Sequence, residues 1–153
     1  MQFPYSFYPT RENIDYLRKA KDLLGDIHVV VEFRNRTWLQ EGTFRFLREN
    51  GMGYCAVDEP KLKGLMPFVP GATSDIGYIR FHGRNRDWFN TPVSVRYNYL
   101  YKEDELKEFI GPVRKMKSQT EKLLIFFNNC HAGYAAKNAI MFSKMILEGK
   151  VQG

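Results

Sequence analysis

The chain has 153 residues, a formal charge of +6 and a pI near 9.3, and is 44% hydrophobic and 26% charged, which suits one soluble globular domain with a true core. No apolar run approaches the roughly 18 residues of a membrane span, and Met1-Gln2-Phe3-Pro4 lacks the basic and then apolar order of a signal peptide. Two cysteines, Cys55 and Cys130, are too few for a disulfide framework and have no metal-ligand spacing, so cytoplasmic residence is expected.

The elements alternate along the chain without a linker or a low-complexity tract. Thr10 reads as an N-cap, with Ile14, Leu17 and Leu24 following at helical spacing. His28 to Phe33 is a β-branched run that predicts a buried strand. A short helix follows over Thr43 to Asn50, ended by Gly51. Gly53 to Val57 predicts a second strand closing on Asp58, and a loop with Pro60, Pro67, Pro70 and Gly71 comes next. Gly77 to His82 is a third strand. Glu103, Asp104 and Glu105 open a helix in which Gly111-Pro112 should cause a kink or a break. Lys122 to Phe127 predicts a fourth strand and Ala132 to Leu147 a last helix. Strands separated by helices imply parallel pairing through right-handed crossovers, hence an α/β class.

Side chains alternate between the two faces of a strand. Val30, Glu32 and Arg34 share one face of the first strand; Tyr54, Ala56 and Asp58 share one in the second; Tyr78, Arg80 and His82 share one in the third. If the apolar faces meet the helices, Glu32, Asp58, Arg80 and His82 are expected together on the other face. They would lie near the C-terminal strand ends, where opposite charges offset the cost of burial. Asn128, Asn129, Cys130 and His131 arrive at the same end from the fourth strand.

Several segments in order resemble the YecE-like family, domain of unknown function 72. They are Gln2-Phe3-Pro4; Val31-Glu32-Phe33-Arg34 with Trp38; Tyr78 to Asn85; Tyr97-Asn98-Tyr99-Leu100-Tyr101; and Phe126-Phe127-Asn128-Asn129 leading to Gly133, Ala135, Asn138 and Ala139. The resemblance implies a parallel (β/α)8 barrel of the TIM type, with residues 1–153 forming a single domain that supplies about the last four strand–helix units. Full barrels run to roughly 250 residues, so the chain is expected to be the C-terminal part of the family's fold, lacking the earlier strands. Its open sheet edges would then invite self-association.

The chemistry stays open between three readings. Arg80 and Arg84 would grip a phosphate or carboxylate while Glu32 or His82 handles a proton, which makes Glu32 and His82 the candidate catalytic residues. Arg34, Asp58, Arg80, Arg84, Asn128, Asn129 and His131 are the candidate ligand-binding residues. Alternatively, Glu32, Asp58, His82 and His131 could ligate a metal, although no local metal motif is present and no metal or cofactor is assigned. The third reading is a purely structural charge network. Two partner classes follow: a small anionic molecule at the strand ends, or nucleic acid or a protein on a basic surface around Arg114, Lys115, Lys117 and Lys122. Those cations also suit the end of a predicted helix, as a solvated outer face would.

Overall fold

The computed structural model describes residues 1–148. Thr10 holds extended backbone and its hydroxyl accepts from the Asn13 amide, so helix α1 (Arg11–Leu24) begins where the cap places it. Gly25, at a φ of 54°, ends it. Strand β1 (Val29–Val31) is shorter than the β-branched run suggests. Past Val31 the chain pairs with the N-terminal segment instead: the Glu32 amide donates to the Met1 carbonyl at 2.8 Å, and the Phe3 amide to the Glu32 carbonyl at 3.0 Å. A short 3-10 turn (Arg36–Trp38) and helix α2 (Glu41–Glu49) lead to strand β2 (Met52–Asp58), and a long loop leads to strand β3 (Ile76–Phe81).

The next connection holds three helices, α3 (Val93–Arg96), α4 (Glu103–Lys107) and α5 (Ile110–Ser118). The expected disruption by Gly111-Pro112 is a full break between α4 and α5. It falls just before the proline, leaving Pro112 in the first turn of α5, where no intrahelical amide is required. Strand β4 (Lys122–Phe127) has the predicted bounds. Helix α6 (Tyr134–Glu148) follows a 3-10 turn over His131–Gly133. At the end of α5, Lys117 donates to the Thr120 and Glu121 carbonyls, a role that suits a cation there.

The four strands form one parallel sheet in the order β1-β2-β3-β4. Register decides which side chains share a face. Val31 pairs with Tyr54, Ala56 with Ile79 and Asp58 with Phe81; Val30 pairs with Gly53, Cys55 with Tyr78 and Val57 with Arg80. The first set faces the helices and makes the core. There Phe44 of α2 meets Tyr54 at 5.0 Å between ring centroids, while Phe81 meets Phe109 at 4.8 Å, Phe127 at 4.7 Å and Phe142 of α6 at 5.6 Å. Phe81 is wholly buried, and such a side chain contributes roughly 1.5–3 kcal/mol over an exposed one. The second set faces away from α2, α5 and α6.

This register corrects one expectation. Asp58 does not share a face with Glu32, Arg80 and His82; it lies one pleat out of step, with Phe81. All seven β2 residues are buried, so the alternation of polarity that would have revealed the face is missing.

Candidate functional site at the C-terminal strand ends

The cluster away from the helices grows from Glu32, just past β1. Its Oε1 lies 2.7 Å from Arg34 Nε and 3.1 Å from His82 Nε2, and its Oε2 accepts from Arg80 Nη1. Glu32 is 3% exposed and His82 1%, so both charge and hydrogen bonding have to be settled within the protein. Arg80 also donates from Nε to Asn128 Oδ1 at 2.8 Å and from Nη1 to Gln2 Oε1 at 2.6 Å. Arg34 reaches the other way, through Nη1, to Glu59 Oε2 at 3.0 Å. Glu59 Oε1 in turn accepts the Met66 amide at 2.8 Å. One guanidinium therefore bridges two buried carboxylates.

Glu59 was missed by sequence reasoning, though the signal was present. With Cys55 and Val57 facing away from the helices, period two makes Glu59, not Asp58, the carboxylate that β2 delivers to this cluster. Asp58 has a separate task on the helix side. Arg84 grips it with Nε at 3.0 Å from Oδ2 and Nη2 at 3.1 Å from Oδ1, and the Tyr101 hydroxyl donates to Oδ2 at 2.6 Å. That hydroxyl also accepts the Gly83 amide at 2.9 Å. Gly83 has a φ of +93°, and a Cβ there would lie 2.7 Å from Tyr99 Cβ, so glycine is required for this turn to pack.

The two asparagines after β4 part company. Asn128 joins Arg80, but Asn129 turns to the helix side, donating to the Tyr99 carbonyl at 2.7 Å and to Asn138 Oδ1 at 2.8 Å. Asn138 completes that knot by bonding the Tyr101 amide and carbonyl. Consecutive residues on an extended chain point oppositely, so the pair could not both arrive at one site. His131 is exposed in the 3-10 turn with its ring 5.6 Å from that of Tyr134. Cys130 is likewise exposed. Glu32, Asp58, His82 and His131 are thus not gathered as ligands of one ion, and among the described residues no three His, Cys, Asp or Glu side chains form such a group.

Protonation follows from burial and partners. Burial alone would raise the Glu32 pKa, but the His82 hydrogen bond, the Arg34 charge and the Arg80 bond outweigh it and hold the group at about 2. Burial lowers His82 to about 4, with the Glu32 hydrogen bond opposing and the Arg34 and Arg80 charges assisting. His82 is therefore neutral at pH 7. Because ionised Glu32 only accepts, Nε2 carries the proton and Nδ1 turns a lone pair toward Arg34 Nη2, 3.5 Å away. Burial pushes Glu59 up to about 7 against the pull of Arg34 and the Met66 amide. On the helix side, burial raises Asp58 while Arg84 and Tyr101 pull it back. The Cys55 thiol, 3.9 Å from Glu32 Oε2, is raised by burial and by that neighbouring charge, which keeps it protonated at neutral pH.

A pH test follows. Glu59 has a folded pKa near 7 against an ordinary 4.5, so the folded state holds the extra proton. Its contribution is present below about pH 4.5 and is lost as pH rises through 7. Unfolding free energies of Glu59→Gln and the unmodified protein should therefore diverge in favour of the variant between those values, by on the order of 2–3 kcal/mol. Urea titrations giving parallel pH curves would refute the assignment. Glu32 and His82 run the other way: each is depressed on folding and costs stability as pH falls, His82 from about 6.5 to 4 and Glu32 from 4.5 to 2.

Three cavities border these residues. One of about 330 Å³ lies on the sheet face away from the helices, against Val30, Glu32, Cys55, Tyr78 and Arg80. One of about 420 Å³ opens beyond the strand ends, bounded by Gln2, Tyr5, Arg34, Trp88, Arg96 and Tyr97. The largest, about 570 Å³, is on the other flank, where Asp58, Glu59 and Arg84 meet Arg36, Phe68 and Phe109.

Residues 1–152 match the family described as protein of unknown function DUF72. The chain belongs to that family. UPF0759 protein YunF of Bacillus subtilis (strain 168) is 36% identical over a stretch covering 90% of this chain and 53% of YunF. A DUF72 family protein of Thermotoga maritima MSB8 of known structure is 45% identical, with a TM-score of 0.91 over 95% of this chain and 55% of its own. Another, from Enterococcus faecalis V583, is 32% identical, with a TM-score of 0.87 over 95% and 56%. This DUF72 chain thus spans little more than half the length of these relatives.

Proposed function

We propose that the sheet is an arc of a β/α barrel and that Arg80, with Arg34 behind it, binds a small anionic molecule at the C-terminal strand ends. The arc is supported by parallel strands with α2, α5 and α6 packed on one face, and by the fit to about half of a larger family member. The observation that carries the ligand reading is the state of Arg80. It is more open than Glu32, Arg34, Glu59 or His82, at 22% exposed at the side chain, and it borders a concave cavity while Glu32, Gln2 and Asn128 hold its direction. A positioned guanidinium of this kind suits a carboxylate or phosphate. Glu32 and His82 serve this site better as positioning groups than as proton carriers at pH 7. One is a very weak base and the other is already neutral and donating.

The test is thermal unfolding with inorganic phosphate and with acetate, comparing the unmodified chain with Arg80→Met. A ligand at ~100 times its Kd stabilises by about 2.7 kcal/mol, and the variant should need at least ~10-fold more ligand for the same rise. If neither anion gives a saturable rise, or both proteins respond alike, the anion site is not at Arg80.

A further inference from the structure

The 420 Å³ cavity beyond the strand ends contains a cation that the Arg80 cluster does not use. Arg96, at the end of α3, has a buried Nε that donates to no acceptor, and its Nη2 reaches only the Thr91 carbonyl at a long 3.4 Å. Among the described residues no carboxylate lies within ion-pair distance of it, whereas Arg34, Arg80 and Arg84 each have at least one. A buried donor left unmade is costly, so a native guanidinium in this state is poised for an acceptor from outside the protein. Its Cζ lies 5.7 Å from the centre of the Trp88 ring, within cation–π range.

The surrounding wall is aromatic. Trp88 is 6% exposed and meets Tyr97 edge-on at 5.6 Å, and Tyr5 meets Phe89 in the same way at 5.6 Å. Phe89, 48% exposed, is a large apolar ring left partly open at the rim. The volume far exceeds that of a bare oxyanion, being on the order of a dozen waters at about 30 Å³ each. Gln2 and Arg34 form part of the same wall and belong to the strand-end cluster, so the cavity adjoins that site.

We propose that this cavity receives a small molecule with a planar apolar body and one carboxylate or phosphate group, the acid on Arg96 and the ring among Trp88, Tyr97 and Phe89. The proposal rests on the strand ends being a ligand site and adds the class of ligand and the residues that select it. Aromatic walls beside a single unpaired charge suit a flat acid better than a bare ion.

The probes are benzoate and phenyl phosphate, with benzyl alcohol as the neutral analogue, measured by calorimetry on the full chain. The expected result is saturable binding of at least one acid, no binding of the alcohol, and at least a tenfold loss in Arg96→Met with an unchanged melting temperature of the free protein. Whichever acid binds more tightly identifies the headgroup. Arg96→Gln carries the same comparison should the methionine variant not fold. Losses in both Arg96→Met and Arg80→Met support the proposal, as a ligand reaching from the mouth to the cluster. Loss in Arg80→Met alone overturns it while leaving the strand-end anion site in place. No binding of either acid, binding undiminished in both variants, or equal affinity for the alcohol also overturns it. The phosphate and acetate titrations on Arg80 judge the broader reading separately.

Discussion

Glu32→Gln is expected to lower the unfolding free energy by about 3–5 kcal/mol at pH 7, the scale seen when one member of a buried charge pair is removed. The reason is the number of groups that a single carboxylate serves. Arg34, Arg80 and His82 all converge on its two oxygens, and Glu59 alone cannot neutralise two guanidinium groups. The amide retains the shape but loses the charge, and its NH2 would confront donors. Chemical denaturation should show the midpoint falling with the slope kept, since the same surface is still exposed on unfolding. A loss below about 1 kcal/mol would mean that the cluster is relieved by water or by a shift of Arg80, and that Glu32 is not its anchor.

The second large effect is expected at Asp58. Asp58→Ala should cost about 3 kcal/mol, because it leaves Arg84 only its longer contacts to Glu105 and Glu108, at 3.5 and 3.4 Å, and leaves the Tyr101 hydroxyl without its acceptor beneath the Gly83 turn. Ligand binding at Arg80 should persist in the molecules that remain folded, because the Asp58 carboxylate points to the opposite face of the sheet. Calorimetric titration of phosphate or acetate against the variant decides this. A variant of full stability that no longer binds would return Asp58 to the ligand site.

The class of fold was legible because β-branched and aromatic runs alternate with amphipathic helices, and β4 in particular reads cleanly between Gln119-Thr120-Glu121 and Asn128. The site was legible only where strands change polarity. Glu32 and Arg80 interrupt apolar runs, and their partners followed from parity. Strand β2 offered no such contrast, as it is buried on both sides, and the wrong choice between Asp58 and Glu59 came from that uniformity. The loop from Arg84 to Tyr101 was beyond reach for another reason. Its four-residue helix and the stranded Arg96 depend on long-range packing, which local spacing does not encode.

Arg34 sits between a carboxylate that stays ionised down to about pH 2 and one that titrates near 7. Counting Glu32, Glu59, Arg34 and Arg80, the cluster is neutral with Glu59 ionised and carries one positive charge once Glu59 is protonated. An anion docking on either guanidinium favours the second state, so its uptake near neutrality is coupled to uptake of a proton. By linkage the affinity rises as the pH falls through 7, and the heat of binding differs between buffers of unlike ionisation enthalpy. Buffer-independent heats would show that the two carboxylates do not share their proton with the ligand.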